Sequence, residues 1–163
     1  MNFNEHGNLN GGIIRGLSMQ DVESFFVRDF STSQTRARNF AGFQQFLSIL
    51  STIGVKQRLS KLWLDGSFLT NKIDPNDIDL VFYFNPEPND IPYILQFLQN
   101  EAKKIHTIGV QYYCDAYFCI DHTLIPSNEI DAKRHFEYET KYWMGQFGFN
   151  RDARNKGIIE LIL

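Results

Sequence analysis

Residues 64–80 read Leu-Asp-Gly-Ser-Phe-Leu-Thr-Asn-Lys-Ile-Asp-Pro-Asn-Asp-Ile-Asp-Leu. The short apolar run at 61–65 leads into this segment and is typical of a buried strand that ends at a Gly66-Ser67 turn. The run at 77–84 begins with alternation and becomes continuously apolar, which favours a strand covered on both faces. The segment therefore predicts two buried strands joined by about one helical segment.

Two acids open the second of these strands. Side chains alternate along a strand, so Asp77 and Asp79 are expected on one face with their alpha carbons about 6.7 Å apart. Two carboxylates this close do not both stay ionised without a cation. Mg²⁺ (or Mn²⁺) fits this pair, because magnesium takes oxygen ligands and keeps positions open for phosphate oxygens.

A third acid lies in the apolar run at 110–121, which predicts another strand. Asp115 falls in the interior of that run, where an unpaired charge is costly. If this strand lies beside the strand at 77–84, Asp115 completes a cluster of three acids that could hold two metals for displacement at a phosphoryl group. The alternative is a buried structural acid paired with a Tyr or an Arg.

The Gly-Ser pair supplies the complementary half of such a site. Gly66 lets the backbone approach a phosphate without a side-chain clash, and Ser67 with the following amides can donate hydrogen bonds to a polyphosphate. In this interpretation Asp77, Asp79 and Asp115 are metal ligands and catalytic residues, and Gly66 and Ser67 bind the nucleotide. The predicted chemistry is nucleotidyl transfer, with Asp115 orienting or deprotonating the acceptor hydroxyl.

These motifs resemble the signature of the polymerase β-like nucleotidyltransferase superfamily in its small, stand-alone form. With the Lys156-Gly157-Ile158-Ile159 tail, they are similar to an uncharacterised prokaryotic family of minimal, single-domain members. The resemblance implies a minimal nucleotidyltransferase fold, a nucleoside triphosphate (such as ATP) held at the Gly-Ser turn, and divalent metals on the three acids. It also implies a protein or tRNA acceptor, since small members of the superfamily include toxin-antitoxin and phage-defence components.

Other polar residues give weaker signals. Asp65 and Asp74 are predicted to be turn residues rather than ligands. Two basic groups could hold a triphosphate or an acidic partner, or could be solvated surface. They are Arg36 with Arg38, and Arg151 with Arg154 and Lys156.

The rest of the chain alternates helical and strand patterns. Helices are predicted at 18–30, 34–50, 90–105 and 128–147, and a final strand at 157–163. The Pro-rich segment 85–89 predicts a turn, and the Asn- and Gly-rich residues 1–17 predict a flexible or surface-draped arm. The fold class is thus α/β: a single domain over 1–163, with helices packed on a small mixed sheet that has the strands near 62–65, 77–84 and 110–121 at its centre.

Composition excludes several classes of protein. The 163 residues carry 16 Lys plus Arg against 19 Asp plus Glu, a net charge of −3, so no general DNA or RNA binding is expected. No apolar stretch is long enough to span a bilayer and no signal peptide begins the chain, which predicts a cytoplasmic protein without membrane contact. Two functions remain: a metal-dependent nucleotidyltransferase, and an inactive binding module of the same fold that acts through a partner protein.

Overall fold

The computed structural model describes residues 1–87 and 89–163, and within them it forms one mixed sheet with α-helices packed on it. Pro88, in the predicted turn at 85–89, lies outside the described residues. The strands are β1 (Gly12–Ile14), β2 (Leu59–Asp65), β3 (Ile78–Phe84), β4 (Cys114–Ile120) and β5 (Gly157–Ile162). The helices are α1 (Met19–Phe26), α2 (Arg36–Thr52), α3 (Ile91–Asn100), α4 (Ala102–Gln111) and α5 (Ile130–Phe147).

The strand order across the sheet is β1-β5-β2-β3-β4. β2 runs antiparallel to both β3 and β5, whereas β3 is parallel to β4 and β1 is parallel to β5. The predicted α/β class with a small mixed sheet is therefore confirmed. One detail differs, because β4 is an edge strand and does not lie at the centre of the sheet.

The core explains why β2 and β3 read as apolar runs. Both strands are covered on two sides, and Leu62, Leu80 and Phe82 are fully buried. Phe46 of α2 packs on Phe82, with ring centroids 6.0 Å apart. Such two-sided burial removes the alternation that marks a half-exposed strand.

The region before β4 differs from the sequence prediction. The helix predicted at 90–105 is divided into α3 and α4, and α4 continues to Gln111 through the start of the predicted strand. A turn at Tyr113, with a φ of 59°, then leads into β4. A short apolar run fits a buried helix as well as a strand, so the pattern could not place this boundary.

The first residues of the chain also differ from the predicted arm. Gly12–Ile14 forms β1, and the side chain of Leu9 is only 1% exposed. The amide of Gly157 donates to the carbonyl of Leu9 at 2.9 Å. Residues 9–14 are thus built into the sheet, and a three-residue strand is too short to show a periodic pattern. No helix among the described residues is long and apolar enough to cross a membrane.

Candidate functional site

Three aspartates lie side by side on neighbouring strands. Asp65, the last residue of β2, is the cross-strand partner of Asp79 in β3. Asp79 in turn is the partner of Asp115 in β4. Residues directly opposite one another on neighbouring strands share a face of the sheet. Asp65, Asp79 and Asp115 therefore form one row, called the acid row below.

The acid row opens into a cavity of about 690 Å³. Asp77, one residue before β3, lines this acid cavity together with Gly66 and Ser67. All five residues that the sequence predicts as a site are thus brought to one cavity. Asp115 lies beside Asp79, as the prediction of a three-acid cluster requires.

Among the predicted site acids, Asp79 is the one whose pKa is clearly raised. Burial is the largest cause that raises the pKa of its carboxyl to about 6, and the negative charges of Asp77 and Asp115 contribute to that rise. Lys156 opposes this effect. The shift follows from placing several like charges in a partly desolvated position. A bound cation would relieve this repulsion.

Gly66 is required by the close approach of Asp79. Its φ is +84°, and a Cβ at this position would lie 1.7 Å from Oδ2 of Asp79. Gly66 precedes a single 3-10 turn over Ser67–Leu69. The hydroxyl of Ser67 makes no hydrogen bond to another described residue, so it is available to a ligand.

Arg36 holds the loop after this turn and does not face the cavity. The side chain is fully buried, and its five N–H donors reach five backbone carbonyls. Four of these carbonyls lie between Phe68 and Ile73, and the fifth belongs to Phe26. Arg38 lies over the ring of Tyr113. The hypothesis that Arg36 and Arg38 hold a triphosphate is therefore replaced by a structural role for Arg36.

Asp65 is a buried member of the site and not the turn residue that the sequence predicted. Its Oδ2 lies 2.7 Å from Nζ of Lys156, and the two side chains are 4% and 10% exposed. Oδ1 is buried and has no hydrogen-bond partner among residues 1–87 and 89–163. Burial raises the pKa of Asp65 to about 7, although Lys156 opposes the shift. The sequence signal for this buried role was the position of Asp65 at the end of an apolar run, immediately before Gly66.

Asp115 has partners at the edge of the sheet. Its Oδ2 accepts a hydrogen bond of 3.1 Å from the hydroxyl of Tyr117, and Oδ1 lies 3.4 Å from Nδ1 of His106. Burial raises the pKa of Tyr117 to about 12, and the nearby charge of Asp115 adds to the shift. Pairing with a Tyr is what the structural alternative predicted. The carboxyl is nevertheless about one-third exposed and lines the acid cavity.

The remaining walls of the acid cavity are aromatic and basic. Tyr142 and Trp143 of α5 line it, and Trp143 packs on Tyr117 with ring centroids 4.8 Å apart. Of the predicted basic cluster, Arg151 and Lys156 line the cavity. Arg154 instead contacts Nδ1 of His6 at 2.7 Å.

The carboxylates of Asp77 and Asp79 fit a magnesium ion whose remaining coordination positions are filled by a bound ligand and water. Among the described residues, no three His, Cys, Asp or Glu side chains are grouped closely enough to hold a metal by themselves, so the predicted set of Asp77, Asp79 and Asp115 does not form a complete metal site on its own. Magnesium commonly uses one or two carboxylates and completes its shell with waters and phosphate oxygens. Asp77 and Asp79 supply such a pair, and the negative charges of Asp77 and Asp115 add to the burial that raises the pKa of Asp79.

Comparison with known proteins identifies one matching family. Its description is "Family of unknown function (DUF6932)", and the match covers residues 1–162. No curated protein and no solved structure matches the chain.

Proposed function

The chain belongs to DUF6932, a family of unknown function, and from its acid cavity we propose that it is a metal-dependent nucleotidyltransferase. The reaction moves a nucleoside monophosphate from a nucleoside triphosphate to a hydroxyl of a protein or RNA acceptor. The observation that carries the proposal is the acid row beside Gly66 and Ser67, with Asp77 on the same cavity.

The side chains have distinct roles in this reaction. Asp77 and Asp79 would hold Mg²⁺ or Mn²⁺, which when bound neutralises phosphate oxygens and favours displacement at phosphorus. Gly66 leaves room for the phosphate chain, and the Ser67 hydroxyl donates a hydrogen bond to it. Asp115 accepts the proton of the acceptor hydroxyl. The acceptor oxygen forms a bond to the α-phosphorus, the bond from that phosphorus to the bridging oxygen breaks, and pyrophosphate leaves.

The test is transfer of label from each α-labelled nucleoside triphosphate, with Mg²⁺ or Mn²⁺, to an acceptor in cell extract. We expect pyrophosphate release and a labelled acceptor from the parent protein. The double variant Asp77→Asn plus Asp79→Asn is expected to lose both by at least about a hundredfold, because removing a group that stabilises transition-state charge costs about 10²–10³ in rate.

A matched control removes the same amount of charge elsewhere. Asp29 and Asp131 are exposed and do not line the acid cavity, so Asp29→Asn plus Asp131→Asn is expected to transfer label like the parent. Equal activity in the two double variants would contradict catalysis at Asp77 and Asp79.

The second candidate is a binding module of the same fold that performs no transfer. It is favoured by the hydrogen bond from Tyr117 to Asp115, which occupies an oxygen of the proposed base. Binding of a triphosphate without pyrophosphate release, under every metal and extract tested, is the result that would support it.

A further inference from the structure

Lys156 is a buried cation on the wall of the acid cavity. Its Nζ pairs with Oδ2 of Asp65 at 2.7 Å, and the lysine side chain is 10% exposed. The backbone is fixed, because the Lys156 amide donates to the carbonyl of Gly148 and β5 begins at the next residue. Because the backbone is fixed and the side chain is buried against Asp65, the ammonium group of Lys156 lies in one small region of the cavity wall.

The other cations near the site are placed differently. Lys61 pairs with Asp121, far along the strands from the acid row. Lys72 and Arg151 line the cavity but are exposed, where water and salt weaken their charge. Lys156 is thus the desolvated cation that shares a wall with Gly66 and Ser67, within residues 1–87 and 89–163.

The Lys156–Asp65 pair is poorly explained by stability alone. Burying two charges costs about as much as their attraction returns unless the remaining polar atoms are satisfied. Oδ1 of Asp65 is buried without a hydrogen-bond partner in the described part of the chain. An ammonium group has three donors, and Asp65 is the acceptor that the described residues provide for Nζ. Donors therefore remain for a ligand in the cavity.

We propose that Lys156, which is paired with Asp65 in the free protein, donates to the phosphate oxygens of a triphosphate bound in the acid cavity. The inference rests on the proposed function, since it takes the same cavity as the nucleotide site. Charge-assisted bonds from an ammonium group to phosphate are stronger than neutral hydrogen bonds, and desolvation strengthens them further. A triphosphate also brings negative charge next to the carboxylates of the acid cavity, which a nearby buried cation would partly offset.

The test is calorimetric binding of Mg²⁺ with inorganic tripolyphosphate, a probe without a base, and with each of the four ribonucleoside triphosphates. Lys156→Met is expected to weaken binding about tenfold to a hundredfold, the scale of one hydrogen bond to a charged group. Arg154→Met removes a neighbouring cation that does not line the cavity, and is expected to bind like the parent.

Two further variants keep the result independent of folding. Lys156→Met leaves Asp65 buried without a counterion, so the folded double variant Asp65→Asn plus Lys156→Met is measured as well and is expected to show the same loss. Asp65→Asn alone keeps Lys156 and removes a negative charge, and is expected to bind at least as tightly as the parent. Thermal unfolding monitors the fold of each variant.

The outcomes separate this inference from the proposed function. Parent-like binding by the folded double variant, or equal losses in Asp65→Asn and Lys156→Met, would assign the pair to structure and overturn the inference. Failure of the parent to bind any of the five probes overturns the inference and the proposed function together. Binding that depends on Lys156, without pyrophosphate release, leaves the inference standing and contradicts transfer.

Discussion

Gly66 and Asp79 occupy adjoining space at the end of β2, and neither position tolerates a larger group. The backbone of Gly66 has a positive φ, and the space of its missing Cβ is taken by the Asp79 carboxylate. A glycine here thus serves two needs, a left-handed turn and room for a neighbouring acid. The site depends on a missing side chain as much as on the acids themselves.

Gly66→Ala is expected to lower the free energy of unfolding by about 1–3 kcal/mol, since it adds backbone strain and displaces Asp79. It is also expected to abolish Mg²⁺-dependent triphosphate binding. Gly54→Ala is the matched control, because Gly54 has a φ of +75° but no atom within 4 Å of its missing Cβ. Urea unfolding and calorimetry measure both effects. Parent-like triphosphate binding by a folded Gly66→Ala protein would show that binding does not require the observed position of the Asp79 carboxylate.

At the scale of elements, one arginine joins two helices to the site loop. Arg36 begins α2, contacts the carbonyl that ends α1 at Phe26, and binds carbonyls from Phe68 to Ile73. Its guanidinium also lies 3.7 Å from the ring centroid of Phe30. The buried side chain of Arg36 therefore holds the loop that follows Gly66 and Ser67 through hydrogen bonds to its backbone carbonyls.

Arg36→Met is expected to lower the free energy of unfolding by about 3–5 kcal/mol, the usual cost of removing one partner from a buried charged network. The five carbonyls would be left without their donors. Arg38→Met, two residues along α2, should cost much less, because Arg38 is exposed and, among the described residues, its guanidinium bonds to the side chain of Asn39 and lies over the ring of Tyr113. Urea unfolding of the two variants is the measurement. Equal losses of unfolding free energy in the two variants would mean that the buried contacts of Arg36 contribute little to stability.

The strands and helices show which parts of the fold the sequence pattern could predict and which it could not. Continuous apolar runs predicted β2 and β3, which are buried on both faces, and a three- to four-residue apolar period predicted the main helices, which are buried on one face. They could not predict β1, whose partner β5 follows 145 positions later (157 − 12). They also misplaced the start of β4, since Val110, Tyr112 and Tyr113 extend its apolar and aromatic run back into α4 and the turn that follows α4.

At the scale of the whole molecule, the acid row is assembled from three strands, and only part of it could be predicted. Asp79 lies in β3 and Asp77 lies one residue before it, and both line the acid cavity, as alternation predicted. The position of Asp115 depended on β4 lying next to β3, which the sheet order confirms. Asp65 was missed as a site residue because its ion-pair partner, Lys156, lies immediately before β5 and far away in the sequence.

The concentration of acids in one cavity predicts how stability depends on pH. The pKa of Asp79 is raised from 3.8 to about 6, so the folded protein binds this proton more tightly than the unfolded chain does. The resulting stabilisation is complete below about pH 4 and is lost as the pH rises through about 6. Mg²⁺ requires the ionised carboxylate, so its binding should strengthen over the same interval.

We therefore expect that, with tripolyphosphate present throughout, Mg²⁺ raises the Tm clearly at pH 7.5 and little at pH 5, compared with NaCl of equal ionic strength. Asp79→Asn should remove the difference between the two pH values. Differential scanning calorimetry is the measurement. A Tm increase that is the same at both pH values in the parent would contradict metal binding at Asp79.

The order of strands in the sheet differs from their order of synthesis. β5 is translated last of the five, yet it lies between β1 and β2. Until residues 157–162 leave the ribosome, β1 has no strand beside it and the ammonium group of Lys156 cannot reach Asp65. A nascent chain therefore holds Asp65 without its counterion until β5 takes its place between β1 and β2.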